Sequence, residues 1–286
     1  MLPLFRSLFW CASLALAVEV NQEAPQGVPA FVVDYAPVVY LHSTDPYHPS
    51  DIGAQLENAT PQMDFKPVDN APNPLTLDNL AELNNLGGED VYLTSKTKPD
   101  QQPDYLLGTL PNDEGKTDGA VSATIIVNDH GDGTVDAFYF YFYAFDFGGV
   151  YVGFNIGNHV GDWEHNMIRF VNGEPNAIWY SQHSNGQAFE YGTTDKYNGG
   201  PRVSSKTASA FYAELTIKQP VVYSANGSHA NYATEGTHAY GIPNVNLDEG
   251  LVEDHTDKGP LFDPTLSAYW YSYNKTSKAF ASYNSE

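Results

Sequence analysis

Phe138-Tyr139-Phe140-Tyr141-Phe142-Tyr143-Ala144-Phe145-Asp146-Phe147 is an aromatic run, interrupted only by Ala144 and Asp146, with no helical spacing. Aromatic and β-branched residues favour the pleated, half-buried surface of a strand. Upstream, Val121 to Val127 is also β-rich, and Asn128-Asp129-His130-Gly131-Asp132-Gly133 lies between the two. The Asp132-Gly133 dipeptide is a strong hairpin signal. Further strand signals recur at Asn166–Val171, Ala177–Ser181, Phe211–Glu214 and Val221–Ser224, separated by Gly, Pro and Asn clusters. Short strands with turn residues between them predict a mainly β chain. The expected architecture is a single-domain β-sandwich with long loops and one or two short helices. Residues 29–42 read as an opening strand pair interrupted by Pro37. Residues 43–115 read as a long ordered excursion with too few apolar residues for a core of its own. One helix is expected inside it, Leu77 to Leu86, capped by Thr76 or Asp78 and stopped at Gly87.

The chemistry concentrates just after the aromatic run, in Gly157-Asn158-His159-Val160-Gly161-Asp162-Trp163-Glu164-His165. In a strand from Asp162 to Phe170, side chains alternate faces. Asp162, Glu164 and Asn166 then share one face, with Trp163, His165 and Met167 on the other. Two carboxylates two residues apart lie roughly 7 Å apart along a strand. That separation suits one metal ion or one acid/base pair. A strand whose acidic face is simply wet accounts for the same pattern. Asp146 emerges from the apolar run and needs a donor or an ion. Asp146, His159, Asp162 and Glu164 therefore make a candidate metal set. Its oxygens favour calcium, magnesium or manganese, and its imidazole keeps manganese or zinc open. Two further histidines sit in loop-like contexts, His183 in Tyr180–Gly186 and His229 in Asn226–Tyr232. With Asp162 and Glu164 they form the candidate catalytic set, carboxylates as acid/base groups and a histidine as proton carrier. A hairpin turning at Asn172–Pro175 would bring Asp162 and His183 to its same open end. Asp254 to Pro264 is dense in Asp but fails as an EF-hand, with Lys258 at a ligand position. No G-x-S-x-G elbow is present.

The ends and the charge set the context. Arg6, an apolar core from Leu8 to Leu16 and Ala15-Leu16-Ala17 have the order of a secretory signal spanning residues 1–17. One domain of residues 18–286 would follow. No later stretch looks transmembrane. The single cysteine, Cys11, lies inside the signal, so the mature chain would have no disulfide, which is unusual for a secreted protein. A net charge of −22 argues against nucleic acid or anionic lipid as an electrostatic partner. It suits divalent cations. Asn58, Asn226 and Asn274 open glycosylation sequons.

Several of these motifs, in order, resemble the vacuolar protein sorting-associated protein 62 family of fungi. They are Tyr35–His42, the aromatic run 138–147, Gly157–His165 with Ile168-Arg169-Phe170, Tyr180–Gly186, Gly227–Tyr232 and Asp254–Pro264. The resemblance spans roughly residues 30–275. It implies a secreted or vacuole-lumen protein linked to sorting, and no particular reaction. A more local resemblance is to the necrosis- and ethylene-inducing peptide-like proteins, with their Gly-His-Arg-His-Asp-Trp-Glu motif. Asp162-Trp163-Glu164 matches its end and His159 its first histidine, whereas Gly161 replaces the second. That family is a β-sandwich with a divalent cation on acidic residues and a histidine, and it recognises sphingolipid headgroups. The resemblance implies a cation on Asp146, His159, Asp162 and Glu164, and a glycan or glycolipid as partner. A carbohydrate-active hydrolase or lyase is the alternative reading.

Overall fold

The computed structural model describes residues 25–151, 153–197, 218–241, 252–274 and 277–282. The expected signal 1–17 and the strand signal Phe211–Glu214 lie outside them. A large sheet of seven strands runs Asn185–Glu190, Glu174–Gln182, His159–Val171, Thr134–Asp146, Ala123–Asp129, Ala268–Asn274, Ala279–Ser282. A smaller sheet of four runs Asn231–Tyr232, Val221–Ser224, Val38–Tyr40, Leu261–Phe262. Val39, Val222 and Phe262 of the small sheet pack with Ile125, Tyr139, Tyr141, Ile168 and Phe170 of the large one. This is the predicted sandwich, with a core built from the facing sides of two sheets.

Two long strands lie at the centre, the aromatic strand Thr134–Asp146 and the acidic strand His159–Val171. They pair antiparallel in a register that sets Tyr143 opposite Asp162 and Asp146 opposite His159. Tyr139, Tyr141 and Tyr143 all point into the core at 0% exposure. A buried phenol needs a partner for its hydroxyl. Tyr139 donates to the Val32 carbonyl at 2.6 Å, Tyr141 to Asn166 Oδ1 at 2.9 Å, and Tyr143 meets Ser224 Oγ at 3.4 Å. Towards its C-terminus the aromatic strand is buried on both faces. Phe142, Ala144 and Phe145 pack outward under Ile52 and Leu106, with Tyr47 and Tyr105 beside them. The 43–115 excursion supplies those residues, which explains why the aromatic run shows no polar alternation.

The N-terminal region departs from expectation. Residues 29–42 hold a short helix, Ala30–Asp34, and only one strand, Val38–Tyr40. Its β-branched residues propose a strand, but Val32 reaches the core from the helix at 0% exposure. Tertiary burial overrides propensity here. The expected Leu77–Leu86 helix is a 3-10 turn, Leu80–Asn85. Asn79 accepts from the Thr76 amide, so the chain turns there and neither Thr76 nor Asp78 caps a longer helix. The excursion also carries an unexpected helix, Ile52–Glu57, whose Asp51 accepts from the Ala54 amide at 2.7 Å. Leu56 of this helix forms a small buried cluster with Leu75 and Leu83, so this segment does contain a satellite core. Among the described residues no helix is long and apolar enough to cross a membrane.

Candidate functional site

The acidic face of the strand is turned inward. Asp162, Glu164 and Asn166 are 7%, 6% and 0% exposed, while Trp163 on the opposite face is 45% exposed. The alternation therefore holds, and a wet acidic face does not. In a regular strand His159 and Asp162, three residues apart, would face opposite sides. Gly161 lies between them at φ +78°, a conformation open to glycine. The left-handed residue redirects the chain, and His159 Nδ1 lies 3.2 Å from the Gly161 carbonyl.

Asp146, His159 and Asp162 come together as a result. Each offers one ligand atom, and these atoms lie within 4.8 Å of one another. His159 Nε2 is 3.8 Å from Asp146 Oδ2. The imidazole is about half exposed and the carboxylates are buried, so the group opens to solvent on the histidine side. Burial, and then the charge of Asp162, push the Asp146 carboxyl up to about 6 against the opposing charges of His159, His229 and His183. Glu164 stands outside this group of three. Its carboxyl is pushed well up by burial first and by Asp162 second, against a hydrogen bond from Ser181. Its Oε2 has no hydrogen-bond partner among the described residues. Buried like charges of this kind are costly unless a cation or a proton neutralises them.

The two outlying histidines occupy different positions. His229 is 1% exposed and lies behind Asp162. Its Nδ1 donates to Asp162 Oδ2 at 3.0 Å, and its ring stacks on Tyr143 at 3.7 Å with planes 4° apart. On the far side Nε2 lies 3.5 Å from Asp45 Oδ2, a charge contact too long to serve as a hydrogen bond. Burial disfavours the imidazolium, but the Asp162 hydrogen bond and the charges of Asp45, Asp162 and Asp146 outweigh it and raise the His229 pKa.

His183 sits at the far end of the expected hairpin. Its turn is the tight Asn172-Gly173 pair, both with positive φ, joining His159–Val171 to Glu174–Gln182. His183 then opens the next turn, at φ +50°. Its Nε2 lies 2.7 Å from Asp254 Oδ2, and its ring stacks on Tyr240 at 3.8 Å. Asp254 also accepts from Ser228 Oγ at 2.6 Å and Tyr232 hydroxyl at 2.7 Å. Burial raises the Asp254 carboxyl, yet the hydrogen bond and charge of His183, with the Ser228 and Tyr232 hydroxyls, hold it below the usual range. Three donors fix that carboxylate.

An open cleft of about 610 Å³ reaches Asp254, lined also by Tyr47, Phe147, Ser228 and His255 among others. Sequence reading assigned no role to Asp45, Tyr143, Tyr232 or Asp254. Asp45 carries no local signal, because only folding brings it to Gly227, whose amide it accepts at 2.7 Å. Asp254 stood at the head of the Asp-rich run, where a search for calcium-loop spacing passes over it.

Comparison with known proteins agrees with the motif order. The model of the family described as vacuolar protein sorting-associated protein 62 matches residues 148–269. A Saccharomyces cerevisiae protein described as putative vacuolar protein sorting-associated protein TDA6 is 35% identical over 268 residues, covering 87% of this chain and 55% of its own length. Vacuolar protein sorting-associated protein 62 from the same yeast is 34% identical over 262 residues, covering 86% of this chain and 53% of its own. The chain thus spans about half the length of these relatives. A crystal structure of Necrosis and Ethylene inducing Protein 2, from the causal agent of cocoa's Witches Broom disease, aligns over 75% of this chain and 72% of that one. Its TM-score is 0.32 and its identity 13%, a weak similarity that has no bearing on the site. With matched motifs, a matching family model and about one residue in three identical over most of its length, the chain belongs to the vacuolar protein sorting-associated protein 62 family.

Proposed function

We propose that this chain is a divalent-cation-dependent binder of glycan or glycolipid headgroups, acting in the secretory pathway or vacuole lumen in support of vacuolar protein sorting. The observation that carries the reading is the convergence of Asp146, His159 and Asp162, with ligand atoms within 4.8 Å of one another. The buried Oε2 of Glu164, without a hydrogen-bond partner among the described residues, supports it, since a nearby cation would favour the ionised form that burial and Asp162 disfavour. Two carboxylates and one imidazole suit calcium, magnesium or manganese. The sorting link comes from the names of the relatives. A chain of charge −22 repels anionic headgroups, and a cation is the simplest bridge between the two. The cleft that reaches Asp254 offers Tyr47 and Phe147 as apolar surface beside polar groups, a combination suited to a sugar ring. The test is binding to an immobilised glycan and glycolipid panel, with calcium or manganese and again with chelator. Binding lost in chelator and restored by the metal is expected. Binding indifferent to chelator contradicts the reading.

A second reading, a carbohydrate-active hydrolase or lyase, is favoured by one observation. Asp254, which lines the cleft, holds the His183 imidazole at 2.7 Å, and a carboxylate–histidine pair of this kind is a common proton-transfer device. Turnover on the same panel, abolished by His183→Ala, would favour this reading over the binder. A panel bound but not turned over rejects it.

A further inference from the structure

We propose that His229 and Asp45, neither of which offers an atom to the cation, are positioning residues that set the cation affinity of Asp162. The inference rests on the cation reading above. His229 is sealed from solvent and from the cleft at 1% exposure, so it meets neither ligand nor bulk water. Its one hydrogen bond to the site goes from Nδ1 to Asp162 Oδ2 at 3.0 Å. That bond restrains the Asp162 carboxylate, one oxygen of which lies within 4.8 Å of ligand atoms on Asp146 and His159.

The ring is itself constrained on three sides. Tyr143, the cross-strand neighbour of Asp162, stacks on its face at 3.7 Å. Asp45 lies 3.5 Å from its far nitrogen. The backbone of His229 is held at φ +55°, a left-handed conformation disfavoured for a non-glycine residue. Asp45 is anchored in turn, accepting from the Tyr47 amide at 2.9 Å and the Gly227 amide at 2.7 Å. A loop from the N-terminal excursion is thereby linked through a buried ring to a carboxylate of the central strand. An isolated hydrophobic or hydrogen-bonded core histidine would not need two aspartates and a strained backbone. Partners that orient a metal-binding side chain commonly change affinity by 10- to 100-fold when removed.

The two sides of the ring can be tested separately. An asparagine amide nitrogen falls near the place of histidine Nδ1, and a glutamine amide nitrogen near that of Nε2. His229→Asn therefore keeps a donor to Asp162, whereas His229→Gln directs its donor toward Asp45. Calcium and manganese are titrated calorimetrically into metal-stripped wild type, His229→Asn, His229→Gln and Asp45→Asn. Chelator melts of each variant check the fold. His229→Gln and Asp45→Asn are expected to bind about 10- to 100-fold more weakly, with His229→Asn retaining most of the affinity. Wild-type affinity in folded His229→Gln and Asp45→Asn, with only the chelator melt lowered, assigns the pair a purely structural role and overturns the proposal. Equal losses in the Asn and Gln variants overturn the Nδ1 contact as its basis. Should the His229→Gln variant fail to fold, Asp45→Asn decides, since it leaves His229 in place. Wild type that binds neither metal removes the cation reading itself, a result distinct from either.

Discussion

Asp146→Asn should make the metal-free protein more stable at neutral pH while removing one ligand of the proposed cation site. Asp146 is 6% exposed, and its carboxyl is pushed up to about 6 from an ordinary 3.8, by burial first and the charge of Asp162 second. At 1.36 kcal/mol per pH unit, holding that carboxylate ionised costs about 3 kcal/mol. The sign follows from linkage. A carboxyl with a raised folded pKa binds more protons in the native state, so its cost is absent below pH 3.8. The cost grows between about pH 4 and 6 and is complete above 6. An asparagine of nearly the same shape carries none of it. In chelator, the variant should therefore exceed wild type by about 3 kcal/mol at pH 7.5, and the two should converge near pH 3.5. Urea denaturation at four or five pH values gives the difference directly. Comparing the two proteins cancels the titration of groups that do not feel the Asp146 charge, such as His48 and His165, whose burial shifts them the opposite way. A difference that stays constant across this range, or a wild type that is the more stable at pH 7.5, refutes the reasoning.

Further outcomes follow from the same geometry. Cation affinity in calorimetry should fall as pH drops below about 6, because protons then compete for Asp146, and a flat profile from pH 7.5 to 5 would count against that ligand. Asp162→Asn replaces an anionic oxygen in the group of three, so cation binding should fall strongly while excess metal still supports a cooperative melt. Gly161→Ala meets no close atom, but at φ +78° it should cost about 1–2 kcal/mol in a chelator melt and weaken the cation by redirecting His159; an unchanged melt would show the backbone relaxing. Tyr139→Phe leaves the Val32 carbonyl without its donor and should cost about 1 kcal/mol in urea, with cation binding untouched.

What was legible in the sequence was local. Alternation placed Asp162, Glu164 and Asn166 on one face, and the turn read at Asn172–Pro175, tightened in the structure to Asn172-Gly173, gave the hairpin that ends at His183. The side on which that face would lie was not legible, because a wet acidic face and a buried one share the same alternation. Only the packing of the small sheet over Tyr139, Tyr141 and Tyr143 decides it. Propensity misread Ala30–Asp34, where a single buried side chain, Val32, matters more than β-branching. The partners of the site histidines were hidden for another reason. Asp45 reaches His229 across 184 positions, and Asp254 reaches His183 across 71, separations at which no spacing rule operates. The set Asp146, His159, Asp162 and Glu164 came from ligand-type residues near one strand and a local motif resemblance, whereas the approach of Asp146, His159 and Asp162 to within 4.8 Å depends on the left-handed Gly161, which strand period does not foresee.

The central claim, that Asp146, His159 and Asp162 hold a divalent cation, is tested most directly by anomalous diffraction from crystals of the metal-stripped protein soaked in manganese. A single anomalous peak about 2.0–2.6 Å from one oxygen of each aspartate and a nitrogen of His159 is the predicted result. Clear density for all three side chains with no anomalous peak among them would contradict the account.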